Sequence, residues 1–210
     1  MVDVAVVDYG MGNLRSVEQA LRKVAPDDKI IVSDDARVIA NAGRVVFPGQ
    51  GAMPDCMREL EARGLRNAVL EAARDKPFLG ICIGLQMLFE HSTEGNVAGL
   101  GILRGEVVRF SGNMRDAQGN KLKVPHMGWN QVHHGSHALW DGIDQDARFY
   151  FVHSYYVRPQ DAALVQATSD YPQPFVCAVA QDNLFAVQFH PEKSQAAGLK
   201  LLQNFTQWNP

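Results

Sequence analysis

Phe78-Leu79-Gly80-Ile81-Cys82-Ile83-Gly84-Leu85-Gln86 is the stretch on which the fold turns. Lys76 and Pro77 lead into it, and Phe78 to Ile81 is an unbroken apolar run, the pattern of a strand buried on both faces of a parallel sheet. Cys82 to His91 then reads as helix. A cysteine at such a strand-to-helix corner, with glycines two residues to either side, suits a sharp turn that lifts a nucleophile out of the sheet edge. Free amides at the helix start favour the thiolate, and the amide of Ile83 would face a developing oxyanion. The same five residues also suit a buried structural cysteine in an ordinary corner.

Upstream, the chain alternates short apolar runs with amphipathic segments. Val4 to Val7 reads as a buried strand, and Leu14, Val17, Leu21 and Val24 are spaced to form one helix face. Ile30 to Val32 and Val45 to Phe47 repeat the strand signal, and Pro48-Gly49-Gln50-Gly51 breaks the second of them. A helical stretch follows from about 54 to 74, with Gly64 as a point of interruption. This order implies a parallel sheet with right-handed crossovers. Downstream of Gly101 the chain changes character. Short strand-like pieces appear at Glu106 to Phe110, Lys121 to Val124, Arg148 to His153, Leu164 to Ala167, Phe175 to Ala180 and Leu184 to His190, the last alternating with period 2. A closing helix runs from Ser194 to Gln207. The expected class is α/β, an open, mostly parallel sheet flanked by helices, with a more antiparallel, strand-rich second half. Residues 1–210 form one domain on this reading.

Composition narrows the functional classes. The 210 residues are 46% hydrophobic and 20% charged, with a formal net charge of −3, which argues against disorder and against a basic nucleic-acid face. At this length folding buries roughly 70% of the unfolded chain's surface, so neither disulfide nor metal staples are needed. The start of the chain is acidic where an export signal is basic, and no apolar run reaches membrane-spanning length. Three cysteines, Cys56, Cys82 and Cys177, cannot all pair and show no CxxC spacing, so a reducing cytoplasm is expected. Cys56 and Cys177 are read as filling space.

Other chemistry is sparse. His190-Pro191-Glu192 offers an imidazole and, two residues on, a carboxylate to fix its tautomer, the base and orienter that a cysteine nucleophile needs. Alone, the tripeptide is equally a loop after a strand. Pro48 to Gly51 should open on the same sheet edge as Cys82, where its amides could donate to an oxyanion; a plain turn is the alternative. Gly10-Met11-Gly12 has Arg15 where a dinucleotide site needs its third glycine, and no P-loop occurs. His133, His134 and His137 lie without acidic or cysteine companions in a segment read as a solvated loop rather than a metal site. No cofactor and no metal are expected. Trp129, Trp140 and Trp208 read as packing residues.

Taken together, the cysteine elbow, the late His-Pro-Glu and the Pro-Gly-x-Gly loop resemble the class I (triad) glutamine amidotransferases. The blocks Val7 to Leu14, Gly80 to Gln86, Pro125 to Asn130, Phe151 to Tyr155 and Gln188 to Ser194 narrow the resemblance to glutaminase subunits of imidazole glycerol phosphate synthase. Pro125-His126-Met127-Gly128-Trp129-Asn130 is the most specific of them. The resemblance implies a flavodoxin-like amidotransferase fold and a Cys82, His190 and Glu192 triad. It further implies oxyanion donors at Ile83 and the Gly49–Gln50 peptide, and glutamine held by Gly51, Gln86, Glu94 and the His153-Ser154-Tyr155 segment. Ammonia would pass to a (β/α)₈ synthase subunit in a heterodimer, with Asn13, Met127, Trp129 and Lys193 toward that partner. That synthase would make imidazole glycerol phosphate and an aminoimidazole carboxamide ribotide, placing the chain in histidine biosynthesis. Gln50 stands where the family often has a small aliphatic residue, and Ile83 where leucine is common. The Gly49–Gln50 peptide is expected to point away at rest and to turn when the liganded partner binds. The competing readings are a glutaminase subunit of another synthase, a cysteine hydrolase such as a peptidase, and a non-catalytic binding module on the same sheet.

Overall fold

The computed structural model of the chain describes residues 2–116 and 118–210. The first half runs β1 (Val2–Val7), α1 (Leu14–Val24), β2 (Ile30–Ser33), α2 (Ala36–Ala40), β3 (Ala42–Gly49), α3 (Met53–Ala62), α4 (Arg66–Asp75), β4 (Phe78–Cys82) and α5 (Ile83–Met87). Next come β5 (Phe89–Ser92), β6 (Val97–Ala98), β7 (Leu103–Arg109), β8 (His126–Gln131), β9 (His133–His134) and β10 (Arg148–His153). The chain closes with β11 (Tyr155–Pro159), β12 (Val165–Asp170), β13 (Pro174–Gln181), β14 (Leu184–Val187) and α6 (Gln195–Gln207).

Among the described residues the main sheet has 12 strands, ordered β2-β1-β3-β4-β14-β13-β11-β7-β5-β6, with β12 on β13 and β9 on β12. The neighbours from β2 to β14 pair in parallel, and β14 to β13, β13 to β11 and β11 to β7 pair antiparallel, as the two halves of the sequence suggested. Val4 to Val7 and Phe78 to Cys82 are buried throughout, because helices cover both faces of the parallel half. A separate antiparallel pair, β8 with β10, lies outside that sheet. Gly64, at φ +66°, separates α3 from α4, as its position in the sequence indicated.

Four local expectations give way to tertiary bonding. The helix expected through His91 stops at Met87, because the carbonyls of Met87 and Leu88 accept from Leu100, Ile102 and Leu103 while Phe89 to Ser92 joins the sheet beside β7. Among the described residues Lys121 to Val124 is not a strand: it pairs through an isolated bridge from Arg115 to Lys121 and a bond from the Leu122 amide to the Met114 carbonyl. The last strand ends at Val187 rather than His190, since the His190 amide donates to the Tyr150 carbonyl of β10 at 2.9 Å. Leu184 to His190 is also buried on both faces despite its alternating sequence. Pro48 and Gly49, read as a break, continue β3.

Candidate active site

Strands β3, β4 and β14 are neighbours, and their carboxyl ends deliver Gly49, Cys82 and the approach to His190 to one edge of the sheet. Cys82 sits at φ 57° and ψ −111°, a backbone conformation that costs a residue with a Cβ and persists only where the surroundings enforce it. The flanking glycines make the turn possible. A Cβ on Gly84 would stand 1.9 Å from the Phe47 carbonyl oxygen, and one on Gly80 would stand 3.0 Å from the Ala186 Cβ. Ile83, which follows the thiol, opens α5.

His190 is buried, and its Nδ1 lies 2.9 Å from Glu192 Oε1, a pair in which both side chains are almost wholly enclosed. Its Nε2 has no hydrogen-bond partner, and neither does Glu192 Oε2. Burial pulls the imidazole's pKa down, but the Cys82 sulfur beside it and the Glu192 carboxylate outweigh burial and push it up to about 10. The ring is thus arranged to hold a proton between a sulfur and a carboxylate. Ser194, not singled out from sequence, fixes the turn: its hydroxyl donates to the His190 carbonyl at 2.6 Å and accepts from the Tyr150 amide at 3.0 Å.

A cavity of about 280 Å³ opens over the thiol, lined by Gln50, Gly51, Cys82, Ile83, Gln86, Glu94, Pro125, Val152, His153, Ser154, Tyr155 and His190. Every residue assigned from the resemblance to glutamine binding therefore lies on one wall or another of it. Gln86 donates to Gln188 Oε1 at 3.0 Å and to the Tyr155 carbonyl at 3.2 Å, leaving its own Oε1 buried and unpaired. Gln188 in turn donates to Cys82 Sγ at 3.8 Å. Its position two residues before His190, in a stretch whose sequence reads as one strand, was the available signal. Glu94 accepts from the Met53 amide at 2.8 Å, joining the first turn of α3 to the cavity wall.

His153 shows how that wall is stiffened. Its Nδ1 donates to the Tyr155 carbonyl at 2.8 Å, so its Nε2 must accept, and His126 Nδ1 donates to it at 2.9 Å. Asn130 Nδ2 closes the chain at His126 Nε2, 3.3 Å away. Burial holds both imidazoles neutral, lowering His153 to about 3 and His126 to about 4.

Of the residues expected to face a partner, Met127 and Trp129 alternate along the outer face of β8 at 67% and 42% exposure. Trp129 is thus not the interior packing residue its type suggested, whereas Trp140 and Trp208 are buried. Tyr150 on β10 joins Trp129 to Lys193, with the Trp129 ring 6.1 Å from it edge-on and Lys193 Nζ 5.9 Å over its face. Asn13 is half-buried at the start of α1.

The three histidines read as a solvated loop are more ordered than that. His133 and His134 form β9, His134 stacks on Trp140, and His137 caps a short turn through Leu139. Their acidic companions come from elsewhere: His133 Nδ1 is 2.5 Å from Asp146 and Nε2 3.6 Å from Asp170. Among the described residues no group of three or more His, Cys, Asp or Glu could hold a metal, and no helix is long and apolar enough to cross a membrane.

Comparison with known proteins gives a family and close relatives in sequence. Residues 5–208 match the family model described as glutamine amidotransferase class-I. The chain is 65% identical, over its full length and 92% of the relative's, to imidazole glycerol phosphate synthase subunit HisH of Thiobacillus denitrificans. It is likewise 65% identical to the protein of that name from Aromatoleum aromaticum, with both chains covered completely. Among solved structures, one described as a glutamine amidotransferase superposes with a TM-score of 0.72 at 17% identity, covering 98% of this chain and 99% of the other. A chain from the structure of PurLQS of Thermotoga maritima superposes at 0.69 and 18% identity, covering 99% of each.

Proposed function

The chain belongs to the class-I glutamine amidotransferases, and from that premise we propose that it is the glutamine-hydrolysing subunit of an imidazole glycerol phosphate synthase in histidine biosynthesis. The observation that carries the chemistry is Cys82, held at positive φ in the cavity floor beside an imidazole already paired with a buried carboxylate.

His190 takes the Cys82 thiol proton as Sγ attacks the side-chain amide carbon of glutamine, and the carbonyl π electrons move onto oxygen. The amides of Ile83 and of the Gly49–Gln50 peptide are the donors for that oxyanion, worth about 10²-fold or more each in preorganised sites. His190 gives its proton to the amide nitrogen, the C–N bond breaks, and ammonia leaves behind a glutamyl thioester. His190 then takes a proton from water, whose oxygen attacks the thioester; the C–S bond breaks, glutamate departs, and His190 returns the proton to the sulfur to restore the thiol. Glu192 holds the ring so that Nε2 faces the sulfur throughout. Gly51, Gln86, Glu94 and the His153-Ser154-Tyr155 segment hold the substrate's remaining groups, and Glu94 meets the α-ammonium.

Ammonia is mostly protonated in neutral water and then no nucleophile, so it is used where it is kept from solvent. The acceptor is a synthase subunit of (β/α)₈ form, docked in a heterodimer against Asn13, Met127, Trp129 and Lys193 in the cytoplasm. The 12-stranded sheet draws strands from both ends of the chain, which supports reading residues 1–210 as one domain. At rest the Gly49–Gln50 amide points away from Cys82, and docking of the liganded partner turns it inward, so that glutamine is not wasted. Glutamate release from glutamine tests the whole reading. Wild type with its synthase partner should hydrolyse glutamine, Cys82→Ala should not, and the lone subunit should be slow. Peptide cleavage without action on glutamine, or activity that survives Cys82→Ala, would overturn it.

A further inference from the structure

Tyr9 and Cys56 take no part in the chemistry described above, yet both lie against the Gly49–Gln50 segment. Tyr9 is wholly buried, and its hydroxyl has no hydrogen-bond partner. An enclosed hydroxyl without a partner is destabilising, and phenylalanine would fill the same space without that cost. The hydroxyl rests directly on Gly49, since a Cβ built there would lie 2.4 Å from Tyr9 Oη. Gly49 is itself the register partner of Cys82 across β3 and β4. Cys56, in the first turns of α3, donates its S–H to the Gln50 carbonyl at 3.6 Å. The two ends of the segment are therefore treated differently. Gln50's carbonyl is tethered to a helix, while Gly49 faces a hydroxyl whose polar neighbour is the Cys56 thiol and which holds no carbonyl.

We propose that Tyr9 and Cys56 are positioning residues for the oxyanion peptide: the Cys56 thiol anchors the Gln50 carbonyl, and the Tyr9 hydroxyl receives the Gly49 carbonyl when the Gly49–Gln50 amide turns toward Cys82. The inference rests on the reading of that peptide as the second oxyanion donor. A peptide turns about the bonds to its two α-carbons. With the following carbonyl tied to α3, motion is confined to this one unit, and the absence of a side chain on Gly49 leaves room for it beside Tyr9. The carbonyl that swings belongs to the residue the hydroxyl already touches. Burial pushes the Cys56 thiol up to about 11, and burial with the neighbouring thiol raises the Tyr9 hydroxyl well above its usual range, so both stay protonated donors at working pH.

The test is steady-state glutaminase kinetics and thermal unfolding on the complex with its synthase subunit, comparing wild type, Tyr9→Phe, Cys56→Ala and Cys56→Ser. Tyr9→Phe should lower kcat about tenfold, less than direct loss of an oxyanion donor, with KM within twofold and an unfolding midpoint equal to or above wild type. Cys56→Ala should lower kcat at unchanged KM, and Cys56→Ser, which restores a donor, should recover it. A smaller fall in Tyr9→Phe, or one accompanied by a raised KM or a lowered midpoint, overturns the inference while leaving the glutaminase reading intact. A wild-type complex that fails to hydrolyse glutamine overturns both.

Discussion

His190 and His153 line the same cavity and are equally enclosed, yet their imidazoles are driven in opposite directions, to about 10 and about 3. Burial lowers both. At His190 the Cys82 sulfur and a carboxylate reverse it; at His153 the neighbours are a neutral imidazole and a carbonyl, which cannot. One wall of the cavity is therefore a proton carrier and the other an uncharged frame. Solvent exclusion alone makes no acid or base; the second neighbour decides.

The sharpest way to break the comparison is to remove the carrier. His190→Phe should cut glutamine turnover by about 10⁴-fold or more, measured as glutamate released by the complex. Glu192→Gln keeps the shape but withdraws the negative charge, and should cost about 10²-fold. NMR titration of that variant should show the His190 pKa falling toward that of His153; an unmoved value would mean that Glu192 is not what separates them.

Stability against pH separates the two imidazoles differently. His153 and His126 have depressed folded-state values, so the unfolded chain binds protons that the native one refuses as pH falls below about 6.5. Their contribution is complete above that pH and is lost toward pH 4, by on the order of 3 kcal/mol for each residue. His190 has a raised value, so its contribution is complete below about 6.5 and lost as pH rises through about 10. Urea unfolding across pH should give a dome, and His126→Asn should flatten its acid limb alone. The smallest effect is expected at Met127 and Trp129. Alanine there should move the lone subunit's stability by less than about 0.5 kcal/mol, while weakening partner affinity in a titration.

Much of this was legible in the residues, for local reasons. The elbow announced itself because crowding at such a turn permits only glycine two residues to either side, and Gly84, pressed against the Phe47 carbonyl, meets that condition. The buried runs of β1 and β4 were equally plain, as parallel strands covered on both faces have no polar alternation to obscure them. What the sequence hid was set by distant partners. α5 is cut short by bonds from a segment more than ten residues later, and His190 reaches the cavity because its amide leaves the sheet for Tyr150. His126 and Gln188 were quoted without a role, since their meaning lies in what they touch: another imidazole, another amide, a sulfur. The Lys121 to Val124 strand failed for the complementary reason, an alternating pattern that among the described residues finds only an isolated bridge to Arg115.

The three thiols differ in a way that makes the chain its own gauge. Cys56 and Cys177 are buried and raised by that burial, so both remain protonated and unreactive at neutral pH, while Cys82 alone opens on a cavity beside an imidazole. A glutamine-like alkylating reagent added in excess should stop at one equivalent per working chain. The mass gained by a preparation then counts its competent molecules, independently of how fast they turn over.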